Sequence, residues 1–179
     1  MKKNEKKYQF RSRSLLEFID KSPTPFHAVK TLKDQLKKAE YIELYEYEEW
    51  KLSPGGQYFV VRNDSSLVAF SVGSEKPQES GFKIIGAHTD SPNLRLKPNP
   101  TYVKNGYVQL GVEVYGGALL STWTDRDLSL AGRVMLRTTN KKSSKTVSDQ
   151  CNSLPSLDNH GFVTRLVKFN RSLLRIPQL

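Results

Sequence analysis

The chain contains a single cysteine, Cys151, among its 179 residues, so no disulfide bond can form within it. This usage is typical of proteins from a reducing compartment, and we therefore expect a cytoplasmic location. No stretch reaches the roughly 20 apolar residues that a membrane-spanning helix needs. The N-terminus also lacks the apolar core of a secretory signal, because Arg11, Arg13, Glu17 and Asp20 interrupt it. Membranes are therefore not expected partners.

Positive charge is distributed unevenly along the chain, whose formal net charge is +10. Residues 1–13 hold six basic residues against one acidic residue, and residues 133–179 hold nine against two. The region between them is close to neutral. A basic tail can contact polyanions, although such runs are more often simply solvated. A basic polyanion-binding protein that acts through its tails stays open as one alternative, but nucleic acid is not the expected main partner.

The N-terminal region predicts a basic tail followed by two helices. Residues 1–13 have few apolar side chains and dense positive charge, so we expect a disordered tail. The segment Ser14 to Glu17 has the capping-box pattern that begins a helix. A second helix begins at Thr24-Pro25, with threonine as N-cap and proline in the first turn, and its apolar spacing continues to about Glu40.

Strand patterns follow these helices and favour a mixed α/β domain over residues 14–98. Tyr58–Val61 and Leu67–Val72 predict a hairpin, because polar turn residues separate two apolar runs. The apolar run Phe82–Ile85 has the length and composition of a buried strand.

A change of character near Lys97–Pro100 predicts a domain junction. Beyond it no helical pattern occurs, and three segments indicate strands: Tyr107–Tyr115, Leu128–Leu136 and Phe162–Phe169. Residues 138–160 are rich in serine, lysine, asparagine and threonine and predict a mobile loop. We therefore expect a second, β-rich domain over residues 99–179.

The segment from Gly86 to Pro92, with the sequence GAHTDSP, is the candidate for chemistry. It follows the predicted buried strand, and strand ends of this kind are where ligands bind in open α/β sheets. A neutral imidazole is the commonest protein metal ligand. Its second ring nitrogen usually donates to a carboxylate or carbonyl that fixes the tautomer. His88 is therefore a candidate metal ligand and Asp90 its orienting carboxylate, although a turn with a hydrogen-bonded aspartate would give the same pattern.

Three further residues carry weaker signals. His27 lies in the first turn of the second helix, where a capping or packing histidine is the simpler interpretation. Cys151 and His160 are well separated and have no other cysteine or histidine nearby, so a zinc site there is not expected.

Three ordered motifs resemble those of the M18 metallopeptidases, the aspartyl aminopeptidase family. The first is the GAHTDSP segment with the NLRLKP that follows it, which ends at Pro98. The second, SPTPFHAV, begins at Ser22. The third runs from VEVYGG, which begins at Val112, to the segment STWTDRDLSLAGRV, which ends at Val134.

The resemblance implies an α/β catalytic domain, here its N-terminal part, followed by an incomplete, inserted β-rich domain of the dimerisation type. It also implies a homo-oligomer, two zinc ions, and removal of N-terminal Asp or Glu from peptides. Carried over by motif, His88 is a metal ligand and Asp90 is the catalytic carboxylate that orients it. Four residues match a family motif in the inserted domain and are interpreted as structural or interface residues: Trp123, Asp125, Arg126 and Asp127. Thr124 departs from the phenylalanine usual in that motif.

The number of ligands argues against a complete active site. A catalytic zinc takes about three protein ligands, and this chain offers His88 alone. The family takes its other ligands and its general base from a segment after the inserted domain. We therefore expect an N-terminal piece that is inactive alone. A non-enzymatic remnant that associates with full-length subunits is the remaining alternative.

Overall fold

The computed structural model describes residues 2–124, 127–137 and 162–168. They belong to two compact units, one comprising Met1–Thr89 and Ala131–Val167, the other Asp90–Leu130 and Lys168–Leu179. In chain order the elements are α1 (Lys2–Lys21), α2 (Pro25–Lys38), β1 (Ile42–Leu44), β2 (Gln57–Arg62), β3 (Ser66–Ser71), α3 (Pro77–Ser80), β4 (Asn93–Lys104), β5 (Tyr107–Tyr115), a 3₁₀ turn (Leu120–Thr122), β6 (Ala131–Arg137) and β7 (Phe162–Lys168).

Helix α1 replaces the disordered tail that we predicted for residues 1–13. It begins at Lys2 and continues past Ser14, so Ser14 lies inside a helix and does not cap one. The first 21 residues contain no proline or glycine and are rich in lysine, glutamate, glutamine, arginine and leucine, which are strong helix formers. The same lysine, glutamate and arginine residues lower the hydropathy, which indicates disorder, and favour a helix by their propensity.

Helix α2 begins as its sequence predicts. The Thr24 side chain accepts a hydrogen bond from the backbone N–H of His27, and Pro25 occupies the first turn, where its missing N–H costs nothing. Lys37 and Lys38 end the helix, where the negative end of the helix dipole favours cations. The predicted second helix is therefore confirmed to within two residues at its C-terminus.

A three-stranded sheet, in the order β1-β2-β3, forms the centre of the first unit. Strand β1 runs parallel to β2, and β3 pairs with β2 as the predicted antiparallel hairpin. The turn places Asn63 and Asp64 at φ of 52° and 55°, a left-handed conformation that these residue types tolerate. Phe59 of β2 is fully buried, as is Val29 of α2, so the core lies where the helix covers the central strand.

Close packing directly before β2 explains why residue 56 is a glycine. A Cβ on Gly56 would lie 2.4 Å from the Tyr58 hydroxyl oxygen, so only glycine allows the buried tyrosine ring to reach this position. The same hydroxyl accepts a hydrogen bond from the backbone N–H of Ser53 at 3.0 Å. Phe70 of β3 lies against the ring of Tyr58, with the two ring centroids 5.7 Å apart.

Strand β6, which belongs to the first unit, contacts the helix and the hairpin of that unit through Arg133. Its guanidinium lies 4.1 Å from the centroid of the Phe26 ring and donates to the backbone carbonyl of Asn63 at 3.4 Å. Strands β6 and β7 pair with each other as a two-stranded sheet. The strands predicted over 128–136 and 162–169 are thus present with slightly shifted bounds. Residues 138–160, the predicted mobile loop, lie outside the described residues.

The segment Phe82–Ile85 is not the buried strand that its sequence predicts. No ladder involving it occurs among the described residues. The side chains of Phe82, Ile84 and Ile85 are 80%, 86% and 99% exposed. A strand is defined by its hydrogen-bonded neighbour, and the apolar composition that predicts burial does not supply one.

Strands β4 and β5 form an antiparallel ribbon in the second unit. Asn105 and Gly106 make the two-residue turn with φ of 54° and 79°, the conformation for which Asn-Gly is favoured. Val108, Leu110, Val112 and Val114 share one face of β5, as the alternating sequence predicts.

The predicted domain junction at Lys97–Pro100 is instead a register shift inside β4. The ladder pairs Leu96 with Val112 but Thr101 with Leu110, so four residues of β4 face a single residue, Gly111. Proline is tolerated at such a bulge because no ladder hydrogen bond needs its N–H. Pro98 and Pro100 therefore interrupt the pairing without ending the strand, and the boundary between the two units falls at Thr89 and Asp90.

Beyond residue 98, the described residues contain the 3₁₀ turn as their only helical element. Within the described part of the chain, no helix is long and apolar enough to cross a membrane.

An ion-pair cluster links α2 to the edge strand β1. The Glu43 carboxylate contacts Lys33 Nζ with one oxygen and Lys37 Nζ, at 2.9 Å, with the other. Burial opposes ionisation of Glu43, but hydrogen bonds from the two lysines outweigh it, so the pKa of Glu43 is lowered. Its hydrogen bond to Glu43 is also the main reason why the pKa of Lys37 is raised.

We predict that Glu43→Gln lowers the free energy of unfolding by about 1.5–3 kcal/mol at neutral pH, the scale of a hydrogen bond to a charged group. Because the folded-state pKa of Glu43 is lowered, its contribution is present above the ordinary carboxyl range and is lost as the pH falls through the folded-state value. Urea unfolding at several pH values should show the difference from wild type shrinking in acid.

Glu46→Gln is the matched control, because Glu46 contacts Arg62 at 3.4 Å with both side chains largely exposed. Exposed pairs contribute less than about 1 kcal/mol. A Glu43→Gln variant as stable as the Glu46→Gln variant would contradict the prediction.

Candidate functional site

His88 lies at the end of the first unit in a segment that is neither helix nor strand, and its side chain is exposed. The following residue, Thr89, donates a hydrogen bond from its hydroxyl to the backbone carbonyl of Ser65 at 2.8 Å. Ser65 belongs to the turn between β2 and β3. The backbone next to His88 is therefore anchored to the hairpin of the central sheet although it forms no strand.

Asp90 begins the second unit and is half-buried. Its Oδ2 atom accepts a hydrogen bond from the Tyr115 hydroxyl at 2.6 Å. This distance is typical of a hydroxyl that donates to an ionised carboxylate, which is stronger than a hydrogen bond between neutral groups. The structure therefore gives Asp90 a specific partner 25 residues away in the sequence.

Arg95 completes the surroundings of this tyrosine. Its guanidinium lies 4.1 Å from the centroid of the Tyr115 ring, in the range of a cation–π contact. The hydrogen bond to Asp90, and then the charge of that carboxylate, raise the pKa of Tyr115, and Arg95 opposes them only in part. The hydroxyl therefore keeps its proton to a higher pH than that of an ordinary tyrosine.

The ribbon positions these residues through its register. Tyr115 pairs with Asn93 at the open end of the ladder, and Arg95 pairs with Glu113 on the same face. Gly116 follows at φ 68°, a conformation that L side chains rarely adopt, and a Cβ there would lie 3.4 Å from Pro92 Cγ. The strand therefore ends directly after Tyr115, close to the residues that follow Asp90.

The residue types of Tyr115 and Arg95 do not predict these roles, although both residues fall inside the motifs NLRLKP and VEVYGG. The Asn105-Gly106 pair is a strong hairpin signal and could have shown that β4 and β5 pair. The turn could not have shown which residue of β4 faces Tyr115, because the bulge shifts the register of the ladder between the turn and Tyr115.

Three of the remaining candidate residues lie within the described part of the chain. His27 Nδ1 lies 2.7 Å from the Thr24 hydroxyl oxygen, which supports a capping role. Trp123 is half-buried at the end of the 3₁₀ turn, and Asp127 is exposed. Four candidates lie outside the described residues: Asp125, Arg126, Cys151 and His160.

The described residues do not by themselves make a zinc site. No cluster of three or more histidine, cysteine, aspartate or glutamate side chains that could hold a metal occurs among them. His88 has the right donor chemistry, since an imidazole nitrogen binds zinc. A catalytic ion needs about two further protein ligands that these residues do not supply.

A family model and individual relatives both match this chain and agree on the family. The family model described as "Aminopeptidase I zinc metalloprotease (M18)" matches residues 18–179. A probable M18 family aminopeptidase 2 of Pseudomonas paraeruginosa is 54% identical over 136 residues, which cover 76% of this chain and 32% of that protein. The corresponding protein of Pseudomonas fluorescens is 52% identical over the same shares of the two chains.

Solved structures with the same fold include Ape4 in its cryo-EM complex with Nbr1, with a TM-score of 0.76 and 42% identity over 93% of this chain and 28% of that chain. Yeast aminopeptidase 1 matches with a TM-score of 0.73 and 30% identity over 96% of this chain and 37% of that chain. A related yeast structure, with 29% identity and a TM-score of 0.72 over 97% of this chain and 36% of that chain, is a dodecamer. The chain spans about a third of the length of the relatives it matches.

We predict that Asp90→Asn lowers the pKa of Tyr115 toward the ordinary tyrosine value, because the substitution removes the charge that favours the protonated phenol. Since the folded-state pKa is raised, the hydrogen bond stabilises the ribbon below the ordinary tyrosine value and is lost as the pH rises through the folded-state value. Carbon-13 NMR of the tyrosine ring carbons, titrated with pH, measures the change.

Glu113→Gln is the control, since it removes a negative charge from the same strand without touching the Tyr115 hydroxyl. An unchanged titration of Tyr115 in Asp90→Asn would show that the hydrogen bond is absent in solution.

Proposed function

Because the chain belongs to the M18 aminopeptidase family, we propose that it forms the N-terminal part of a zinc aminopeptidase that releases acidic residues, Asp or Glu, from peptides. The observation that carries the proposal is the match of the family over residues 18–179, with the GAHTDSP segment inside it. The specificity for acidic residues rests on the motif resemblance.

In this proposal His88 is a zinc ligand and Asp90 is the carboxylate that orients it. Two features support the roles. The spacing of two residues suits a carboxylate that accepts from the second ring nitrogen of a ligand histidine. The hydrogen bond from Tyr115 stabilises Asp90 in its ionised form, which is the form able to accept that proton.

The complete site is proposed to hold two zinc ions, with the remaining ligands and the general base supplied by parts of the family's length that this chain does not span. We propose that the 179-residue chain is inactive alone, and the lack of a three-ligand cluster within the described residues supports this. A cytoplasmic location is proposed on the single cysteine.

We also propose that the chain self-associates through the apolar face of the β4–β5 ribbon. Leu96, Val103, Val108, Val112 and Val114 line this face and are each between 39% and 73% exposed. A two-stranded ribbon is marginally stable alone and needs packing on one face. The same surface favours the second candidate function, a non-enzymatic piece that associates with full-length subunits.

We predict that a full-length enzyme carrying this chain hydrolyses aspartyl substrates and that Asp90→Asn lowers its rate by about 10–100-fold, the usual effect of changing a group that orients a metal ligand. Asparagine keeps the shape of aspartate but loses the charge. The measurement is hydrolysis of an aspartyl substrate, with thermal melting to verify that the fold persists.

Asp127→Asn is the matched control, since Asp127 is exposed and is interpreted as structural. Equal rates for wild type and Asp90→Asn would remove Asp90 from the mechanism. A wild-type enzyme that cleaves other N-terminal residues but not aspartate would overturn the substrate assignment alone.

We predict that Val112→Lys shifts the 179-residue chain toward the monomer in light scattering at high protein concentration. The charge would have to be buried in the association that the apolar face favours. Gln109→Lys, which adds the same charge to the opposite face of β5, should leave the mass unchanged. A monomeric wild-type chain would exclude the interface.

A further inference from the structure

We propose that Tyr115 is a positioning residue for the catalytic carboxylate: its hydroxyl fixes the rotation of the Asp90 side chain, so that the second carboxylate oxygen faces the ring of His88. This inference rests on the proposed function, in which Asp90 orients His88. It assigns to β5 a role in the chemistry that neither the motif nor the ligand count indicates.

The geometry of Asp90 provides the first argument. The terminal torsion of an aspartate is broad, so a carboxylate held only through its backbone can turn either oxygen toward a given donor. The Tyr115 hydroxyl donates to Oδ2 at 2.6 Å. A short bond to one oxygen restricts this rotation and thereby sets the direction of Oδ1, the oxygen that must accept from His88 under the proposal.

The restraint is effective only if Tyr115 is itself held, and three contacts hold it. Its backbone pairs with Asn93 in the ladder. The Arg95 guanidinium lies against its ring at 4.1 Å. The left-handed turn at Gly116, with Pro92 directly beside it, ends the strand at this residue. The hydroxyl thus extends from a side chain fixed at both its backbone and its ring.

A purely structural role for Tyr115, as a clasp between two parts of the ribbon, makes different predictions. Tyr115→Phe keeps the ring and its contact with Arg95 but loses the hydroxyl. A clasp that works through packing is largely preserved in this variant, whereas the orientation of Asp90 is not. Tyr107→Phe is the matched control, because Tyr107 lies on the same face of β5 with its side chain 62% exposed.

The experiment uses the metal-free 179-residue chain and measures the tautomer of His88 by nitrogen-15 NMR in mildly alkaline buffer, where imidazoles are neutral. The chain has three histidines, so the signals can be assigned with His27→Gln and His160→Gln. We expect one dominant tautomer of His88 in wild type and in Tyr107→Phe. Both Asp90→Asn and Tyr115→Phe should give a mixture of tautomers.

A change with Asp90→Asn but none with Tyr115→Phe would overturn the positioning role and leave the role of Asp90 intact. No change with either variant would overturn the role of Asp90 and, with it, the inference about Tyr115. If Tyr115→Phe unfolds the ribbon, the wild-type chain still tests the positioning role of Tyr115. Its Tyr115 hydroxyl proton should be visible as a slowly exchanging signal that Asp90→Asn removes, and absence of that signal in wild type overturns the inference.

In a full-length enzyme, Tyr115→Phe should lower kcat by about 10-fold, the lower end of effects transmitted to a metal ligand through its partner, and leave KM unchanged. A rise in KM at constant kcat would instead indicate that Tyr115 contacts substrate and would contradict the proposal.

Discussion

The register shift between Leu96 and Thr101 is the constraint on which the surroundings of Asp90 depend. If the pairing set by the Asn105-Gly106 turn continued unbroken, Tyr115 would lie opposite Leu96 instead of Asn93. Three residues of strand correspond to about 10 Å, too far for a hydroxyl to reach Asp90. Gly111 lies at the shift, where a Cβ would be 3.4 Å from the Pro100 carbonyl oxygen and so in close contact with the bulged segment.

In the first unit, the backbone beside His88 is held in place although it belongs to no strand. Phe59 and Val29 supply the buried centre, and the β2–β3 hairpin extends from it to a turn in a left-handed conformation. The carbonyl of Ser65 in that turn accepts the hydroxyl of Thr89. The position of the motif backbone therefore depends on the packing of a helix on a sheet far from it in sequence.

Local signals in the sequence predicted the elements that depend on local forces. The N-cap at Thr24 and the β2–β3 hairpin follow from residue types within a few positions, and both were found. Phe82–Ile85 and Lys97–Pro100 could not be predicted, because a strand and a bulge are defined by the neighbouring chain. His88 and Asp90 could be named from their chemistry, whereas Tyr115 acquires its role only through the register. For residues 1–13, charge suggested disorder, and helix propensity decided otherwise.

The exposed segment Phe82–Ile85 also affects how readily this chain aggregates. It exposes three large apolar side chains, interrupted only by Lys83, and has no strand pairing among the described residues. Unpaired apolar segments of this kind are what chaperones retain and what aggregates recruit. The single charge of Lys83 is a weak gatekeeper against such recruitment. Exposure of this short segment therefore adds to the tendency of the chain to aggregate.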